Sequence, residues 1–261
     1  MLFRSEQASL EKHGNSIPQT GRLAKKYNNK NLELKVKILP TVLGETTVIQ
    51  IKYSNSSILD INTLEPAGEI HNQLAELINK KTGMILTTGP GNSGKTTTLY
   101  AILNTIMRKN KHVITVEEKI ESIIDNCIQL EVNPLFHSSF TLLQTAITTN
   151  PDVIMIGKIK DKETAQLSVQ AALKNSMVLT SLSQGITAHV LKKLIDFQID
   201  PCLINEALLS VINHRLVRQI CQSCKYEYKT LQQDFSFNKK IPQDTIFFKG
   251  AGCHQCSQVG Y

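Results

Sequence analysis

Eight consecutive residues constrain this chain more than any other feature. Gly89-Pro90-Gly91-Asn92-Ser93-Gly94-Lys95-Thr96 spell the phosphate-binding pattern G-x-x-x-x-G-K-[ST]. The apolar run Met84-Ile85-Leu86-Thr87-Thr88 before them reads as a buried strand, and Lys95 to Lys109 after them reads as a helix. A loop in that setting converges its amide N–H groups on phosphate at a helix N-terminus. Lys95 is expected to reach the β and γ phosphates of a nucleotide and Thr96 to offer its hydroxyl to Mg²⁺; Thr97 completes the candidate set. Gly91 and Asn92 suit the positive φ values of a wrapped loop. The alternative is a glycine-rich turn that matches by chance.

At 261 residues, 41% hydrophobic and 20% charged, the chain can form about two domains with a sizeable core. Its net charge of +7 favours an anionic contact such as nucleic acid, an acidic membrane face or an acidic partner, although a solvated basic face gives the same balance. No segment approaches the roughly 18 consecutive apolar residues of a membrane span. Met1 to Ser16 is polar, reads as frayed, and lacks the apolar stretch of a secretory signal. The expectation is a cytoplasmic protein, recruited to a membrane through a partner. Six cysteines in a reducing compartment then point to metal or burial rather than disulfides.

Between Arg22 and Tyr53 the pattern is strand-like. Leu32, Leu34, Val36 and Ile38 alternate with Glu33, Lys35 and Lys37 after a turn at Asn28-Asn29. Pro40 and Gly44 are expected to break this hairpin region before a second strand, Thr47 to Tyr53, and Ser54 to Ser57 reads as a link. Ile70, Leu74, Leu77 and Ile78 recur at helical spacing up to Gly83, a candidate C-cap. Past the phosphate loop, Val113 to Glu117, Val153 to Gly157 and Met177 to Leu182 are short apolar runs separated by helical stretches, which predicts a mostly parallel sheet covered by helices. After Leu182 helices are expected to dominate. Asp200-Pro201 supplies an N-cap and a first-turn proline, with Leu203, Ala207, Leu208 and Val211 as an apolar stripe.

Cys221-x-x-Cys224 and Cys253-x-x-Cys256 form two pairs separated by 28 residues. Four thiolates in this arrangement suit tetrahedral Zn²⁺, and a site with all four positions filled by protein is structural. Four unpaired buried thiols are the alternative. Cys127 and Cys202 stand alone and read as core residues. A DNA-binding ribbon is not favoured, because aromatic residues are not interleaved with the basic ones there.

The segments GPGNSGKTTTLY, LPTVLGETTV, ITVEEKIE, NPDVIMIGKIKD, RLVRQICQSC and GCHQCSQVGY together resemble the type II secretion and type IV pilus assembly ATPases, from about Ile17 to Tyr261. The resemblance implies a polar segment at 1–16, part of a small N-terminal αβ domain at 17–65, a RecA-like nucleotide-binding domain at 66–218 and a four-cysteine zinc module at 219–261. It also implies a hexameric ring, ATP in the cleft between two domains, and hydrolysis that drives pilin or pseudopilin assembly at the inner membrane.

Departures from the family pattern fall on the chemistry. The family's G-E-I-R-D reads Gly157-Lys158-Ile159-Lys160-Asp161, so Lys158 stands where the family has a catalytic carboxylate. A carboxylate there orders the attacking water and accepts its proton; a lysine, with a reference pKa of about 10.4, is already protonated. The family's E-D-P-I-E reads Glu117-Glu118-Lys119-Ile120-Glu121, and its L-H-T-N-D reads Leu182-Ser183-Gln184-Gly185-Ile186. Arginines that the family directs at the nucleotide correspond to Lys35 and Gln50, and two more to Gln144 and Thr148, whereas Arg215 and Arg218 are retained. The family also continues beyond both ends of this sequence, so a shortened paralogue or a gene remnant is expected.

Three functions follow from these residues. The first is an ATP-binding subunit of a secretion or pilus assembly system with weak or lost hydrolysis. The second is an active ATPase with Glu117 or Glu118 as the base. The third is a structural or regulatory protein that no longer uses nucleotide and acts through its zinc module or by joining a mixed ring with an intact homologue. Nucleic acid is not an expected partner.

Overall fold

The computed structural model describes residues 17–27, 30–53, 61, 68–107, 111–133, 135–228 and 246–261. The readings of Met1 to Ser16, of the Asn28-Asn29 turn and of the Ser54 to Ser57 link lie outside these residues. Two compact units are distinguished: one holds the described residues up to Gly89 and from Lys95 to Asn213, the other Pro90–Gly94 and His214–Tyr261.

The first unit begins with an antiparallel sheet of order β1 (Gln19–Tyr27), β2 (Lys30–Thr41), β3 (Gly44–Tyr53). The alternation predicted for Leu32 to Ile38 is present, and Leu34 and Val36 lie opposite Ile51 and Ile49 on one face. Pro40 does not break β2. It pairs with Glu45 two residues past Ile38, where β1 ends its pairing, so one side of the strand has no neighbour to receive a proline's missing N–H. The turn falls instead on Val42-Leu43, and Gly44 takes the positive φ of +123° that opens β3.

The larger sheet of this unit has six parallel strands in the order β6 (Ile128–Glu131), β5 (Val113–Glu117), β7 (Val153–Ile156), β8 (Met177–Leu182), β4 (Gly83–Thr88), β9 (Leu208–Asn213). Side chains of a strand point alternately to its two faces, and here both faces are apolar. Met84, Leu86, Ile154, Ile156 and Val178 pack with Ala165 and Val169 of α4 (Lys162–Lys174) and Val190 and Leu194 of α5 (Thr187–Asp196). Ile85, Val153, Met155, Met177 and Leu179 pack with Leu74 and Ile78 of α1 (Gly68–Ile78) and Leu99, Ile102, Leu103 and Ile106 of α2 (Lys95–Met107). The result is helix–sheet–helix layering, the α/β class expected from the alternating runs. Each fully buried Leu or Ile in it contributes about 1.5–3 kcal/mol relative to exposure.

Two local expectations are corrected. The apolar stripe after Pro201 does not continue as a helix: α6 (Pro201–Ala207) stops and β9 begins at Leu208. The β-branched Val211 and Ile212 suit the open edge beside β4, and Leu203 of the predicted stripe is exposed while Ile204 and Ala207 are buried. Gly83 is not a cap for α1, which ends five residues earlier. It starts β4 with φ +119°, and a Cβ there would lie 2.5 Å from Leu209, the residue bulged out of the β4–β9 register.

The second unit contains a two-stranded antiparallel ribbon, β10 (Lys225–Tyr228) with β11 (Phe247–Gly250), and a short 3₁₀ turn at His254–Cys256.

Candidate nucleotide and metal sites

The phosphate octet joins β4 to α2. Its positive φ values fall at Gly89 (143°), Asn92 (57°) and Gly94 (92°). Asn92 meets the expectation, whereas Gly91 keeps a negative φ and its neighbours at 89 and 94 carry the wrap. Pro90, Gly91 and Asn92 are exposed and Ser93 is buried. Lys95 is the first residue of α2, and its Nζ donates to the Gly89 carbonyl oxygen at 3.0 Å. Partial burial, and after it the positive charge of Lys158, holds the Lys95 ammonium below the usual lysine value. Thr96 is half-buried and Thr97 exposed.

Because all six strands run parallel, the residues that follow β4, β5, β7 and β8 emerge at one edge of the sheet, where α/β proteins bind ligands. Thr88 at the end of β4 donates its hydroxyl to the carbonyl of Gln184 at 2.7 Å, so the segment after β8 is tied to β4. Glu117 ends β5 and is 3% exposed. Its Oε2 accepts from the Tyr100 hydroxyl of α2 at 2.6 Å and its Oε1 from Thr115 at 2.7 Å. Burial raises the Glu117 carboxyl above its ordinary value, and the hydrogen bonds from Tyr100, Thr115 and Gln129 work against that rise. Burial, then the bond to Glu117, raises the Tyr100 phenol. Local sequence carries no signal for this network. Tyr100 reads as one more apolar position of a helix, and Thr115 as one more strand residue.

Glu118 is exposed and ion-paired with Lys160, Lys119 reaches Glu33 of β2 at 3.0 Å, and Asp161 caps α4 by accepting from the Thr164 amide at 2.8 Å. Lys158 follows β7 and is half-buried; among the described residues it makes no ion pair. Lys35 and Gln50 are cross-strand partners of β2 and β3. Gln144 and Thr148 are exposed on α3 (Ser139–Thr148), and Arg215 and Arg218 are exposed in the second unit, with Arg218 5.6 Å from the centre of the Tyr261 ring.

The fit to a divalent cation beside the nucleotide is poor. P-loop proteins hold Mg²⁺ with the loop Ser/Thr and a carboxylate after a neighbouring strand. Thr96 is in place, but Lys158 brings a cation to that neighbourhood, and Glu117, Glu118 and Asp161 are engaged as described.

The cysteine ligands fit a metal well. The Sγ atoms of Cys221, Cys224, Cys253 and Cys256 all lie within 4.8 Å of one another. Cys221 and Cys253 are 3.9 Å apart, and Cys256 is 3.8 Å from both Cys224 and Cys253. A tetrahedron with a metal–sulfur bond of about 2.3 Å has an edge of about 3.8 Å, whereas a disulfide needs about 2.05 Å. The ribbon sets the spacing: Lys225 and Gly250 are paired, so Cys224 precedes one strand where Cys253 follows the other. The amides of Cys253 and Gly260 donate to Cys256 Sγ at 3.1 and 3.2 Å and, with the sulfurs of Cys253 and Cys224, bring that thiol down to about 6, while burial and the surrounding sulfurs push Cys224 up to about 11. Glycine is required at 250, where a Cβ would lie 2.0 Å from the Gly260 carbonyl oxygen. Cys127 packs against the core as expected, and burial pushes its thiol up to about 11. Cys202 does not: it lies exposed in the first turn of α6, whose buried face is carried by Ile204 and Ala207.

A family profile described as "Type II/IV secretion system protein" matches residues 6–261. Over 256 residues the chain is 35% identical to the "Type II secretion system ATPase E" of Vibrio cholerae, covering 97% of this chain and 51% of that protein. It is 34% identical over 250 residues to the "Type IV pilus assembly ATPase PilB" of Thermus thermophilus, covering 94% of this chain and 28% of that one. The chain thus spans about half the length, or less, of these relatives. Among solved structures it is similar to the Legionella pneumophila ATPase DotB (TM-score 0.65, 20% identity, 77% of this chain and 58% of that one) and to the pilus retraction motor PilT with bound ADP (0.62, 24%, 76% and 59%), a likeness of fold. From the profile and the curated relatives together, this chain belongs to the type II/IV secretion system protein family.

Proposed function

We propose that this chain binds ATP in the Gly89–Thr97 cradle and cleaves it slowly or not at all, as a nucleotide-holding subunit of a type II secretion or type IV pilus assembly motor. The observation that carries this reading is Lys158, a half-buried ammonium close enough to Lys95 to disfavour its charge, in the position from which a carboxylate would take a proton from water. A protonated amine accepts no proton. It attracts the triphosphate of the ground state as well as that of the transition state, which strengthens binding without speeding turnover.

Glu117 and Glu118 are both already engaged within the protein. Glu117 has both oxygens accepting from Tyr100 and Thr115, and Glu118 is paired with Lys160, so a partner competes with water at each carboxylate. Lys95 and the loop amides hold the phosphates. Zinc at Cys221, Cys224, Cys253 and Cys256 is structural, its coordination being completed by protein.

In this reading residues 17–65 belong to an N-terminal αβ domain, 66–218 to the nucleotide-binding domain and 219–261 to the zinc module. The chain joins a hexameric ring, of its own copies or mixed with an intact homologue, at the cytoplasmic face of the inner membrane. The test is binding of a fluorescent ATP analogue by the purified chain, with Lys95→Ala abolishing the signal and phosphate release staying near background. Robust turnover by the unmodified chain overturns the proposal.

A further inference from the structure

Lys158 is unusual for reasons beyond the missing base. It is half-buried, makes no ion pair among the described residues, and follows a strand that ends at the same sheet edge as the phosphate strand, with β8 between them. The neighbouring cations differ: Lys160 is matched by Glu118 and Lys119 by Glu33. A cation partly removed from water and without an ion-pair partner among the described residues is a site suited to an anion.

The acidic groups around it point the same way. Glu117 is sealed beneath the edge by Tyr100 and Thr115, and the Asp161 carboxylate accepts from the first turn of α4. Hence the carboxylates that end or follow β5 and β7 are committed to the protein, and an ammonium occupies the neighbourhood where a carboxylate would face a divalent cation. Mg²⁺ keeps near-ideal octahedral oxygen coordination and is typically held through one or two carboxylates plus phosphate oxygens. A nearby ammonium adds like-charge repulsion.

We propose that this site takes the nucleoside triphosphate in its metal-free, tetra-anionic form, with Lys95 and Lys158 supplying the two positive charges that a divalent cation otherwise brings. The inference rests on the nucleotide-holding reading above and narrows it to one chemical form of the ligand. Lys95 opens the helix that follows β4 and Lys158 follows β7, one strand removed at the same sheet edge, and like charges placed there repel. A polyphosphate between them relieves that repulsion, whereas a Mg²⁺-nucleotide complex, carrying two fewer negative charges, relieves less of it.

The experiment is a titration of the full chain with a fluorescent ATP analogue, followed by anisotropy, in excess Mg²⁺ and in resin-treated Mg²⁺-free buffer of equal ionic strength. No free chelator is added, so that metal at the cysteine cluster is not stripped. The expected result is a dissociation constant that is unchanged or tighter without Mg²⁺, within about threefold. Lys158→Glu should then bind at least about tenfold more weakly without Mg²⁺ than with it, and Lys158→Ala should lose affinity chiefly in the Mg²⁺-free arm. Unmodified protein that binds tenfold or more weakly without Mg²⁺ overturns this inference and leaves the nucleotide-holding reading intact. Absence of binding in both buffers overturns both. Circular dichroism melts of the two variants separate a folding defect from a binding one, and Lys158→Arg, which keeps the charge, should bind like the unmodified chain.

Discussion

Replacing Tyr100 by Phe removes one oxygen atom from the chain and tests whether the phosphate helix is bolted to β5. The Tyr100 hydroxyl donates to Glu117 at 2.6 Å and accepts from the Glu121 amide at 3.3 Å, and both Tyr100 and Glu117 are buried. A hydrogen bond to an ionised partner contributes about 1.5–3 kcal/mol, and a buried carboxylate deprived of a donor has no water to replace it. Adding the second, longer bond, the expected loss is about 2–3 kcal/mol, or about 5–10 °C in melting temperature for a chain of this size.

The loss should depend on pH with a definite sign. Glu117 has its folded-state pKa raised by burial above 4.5, so the folded chain binds more protons than the unfolded one between those values, and this group favours folding increasingly as pH falls from neutrality toward 4.5. Tyr100 favours the ionised carboxylate, so its removal raises the folded pKa further. The deficit is therefore full at neutral pH and shrinks on acidification. Urea unfolding followed by circular dichroism at neutral and mildly acidic pH measures it, and in a Glu117→Gln background the same substitution should cost less than half as much. A deficit below about 0.5 kcal/mol, or one that stays constant as the pH falls, refutes the reasoning.

Two further outcomes follow from the sites. Acid release from folded protein should yield about one zinc per chain, and a chelator should raise hydrogen exchange first between Cys221 and Cys256; stable protein that contains no metal rejects the assignment. Nucleotide affinity should decline at alkaline pH with a midpoint below the usual lysine value of 10.5, because Lys95 must be protonated to hold phosphate and burial plus Lys158 lower its pKa. Lys158→Ala should move that midpoint upward, and an unmoved midpoint would show that the two amines do not interact.

The elements legible in the sequence are those whose information is contiguous. Strand β4, the loop and α2 occupy one unbroken stretch, and β5, β7 and β8 are apolar runs with flanking turns, so composition and order suffice to find them. Strand β9 was hidden because Leu208 to Val211 continues the apolar pattern of α6, and a six-residue run cannot be told from a buried helix segment by periodicity. Strand β6 is four residues long at a sheet edge, with Ile128 and Glu131 exposed, and leaves almost no pattern. The purpose of Gly83 lay in Leu209, which is remote in sequence.

The sites divide in the same way. The phosphate octet and the cysteine pairs are spacing patterns, and the four cysteine sulfurs cluster as their spacing predicts. The engagement of Glu117 by Tyr100, of Glu118 by Lys160 and of Asp161 in the α4 cap depends on which strands are neighbours and where helices begin, so acidity alone does not report it. Lys158 was legible as a departure from a motif. Its proximity to Lys95 required the sheet.

The central claim, that ATP is held but not cut, is tested most directly by pairing calorimetric titration with phosphate release on the same preparation, for the unmodified chain and for Lys158→Glu. The account predicts heat of binding and background turnover for the unmodified chain, with turnover rising once the carboxylate is restored. Steady phosphate release by the unmodified chain, or no heat with ATP on well-folded protein, would contradict it.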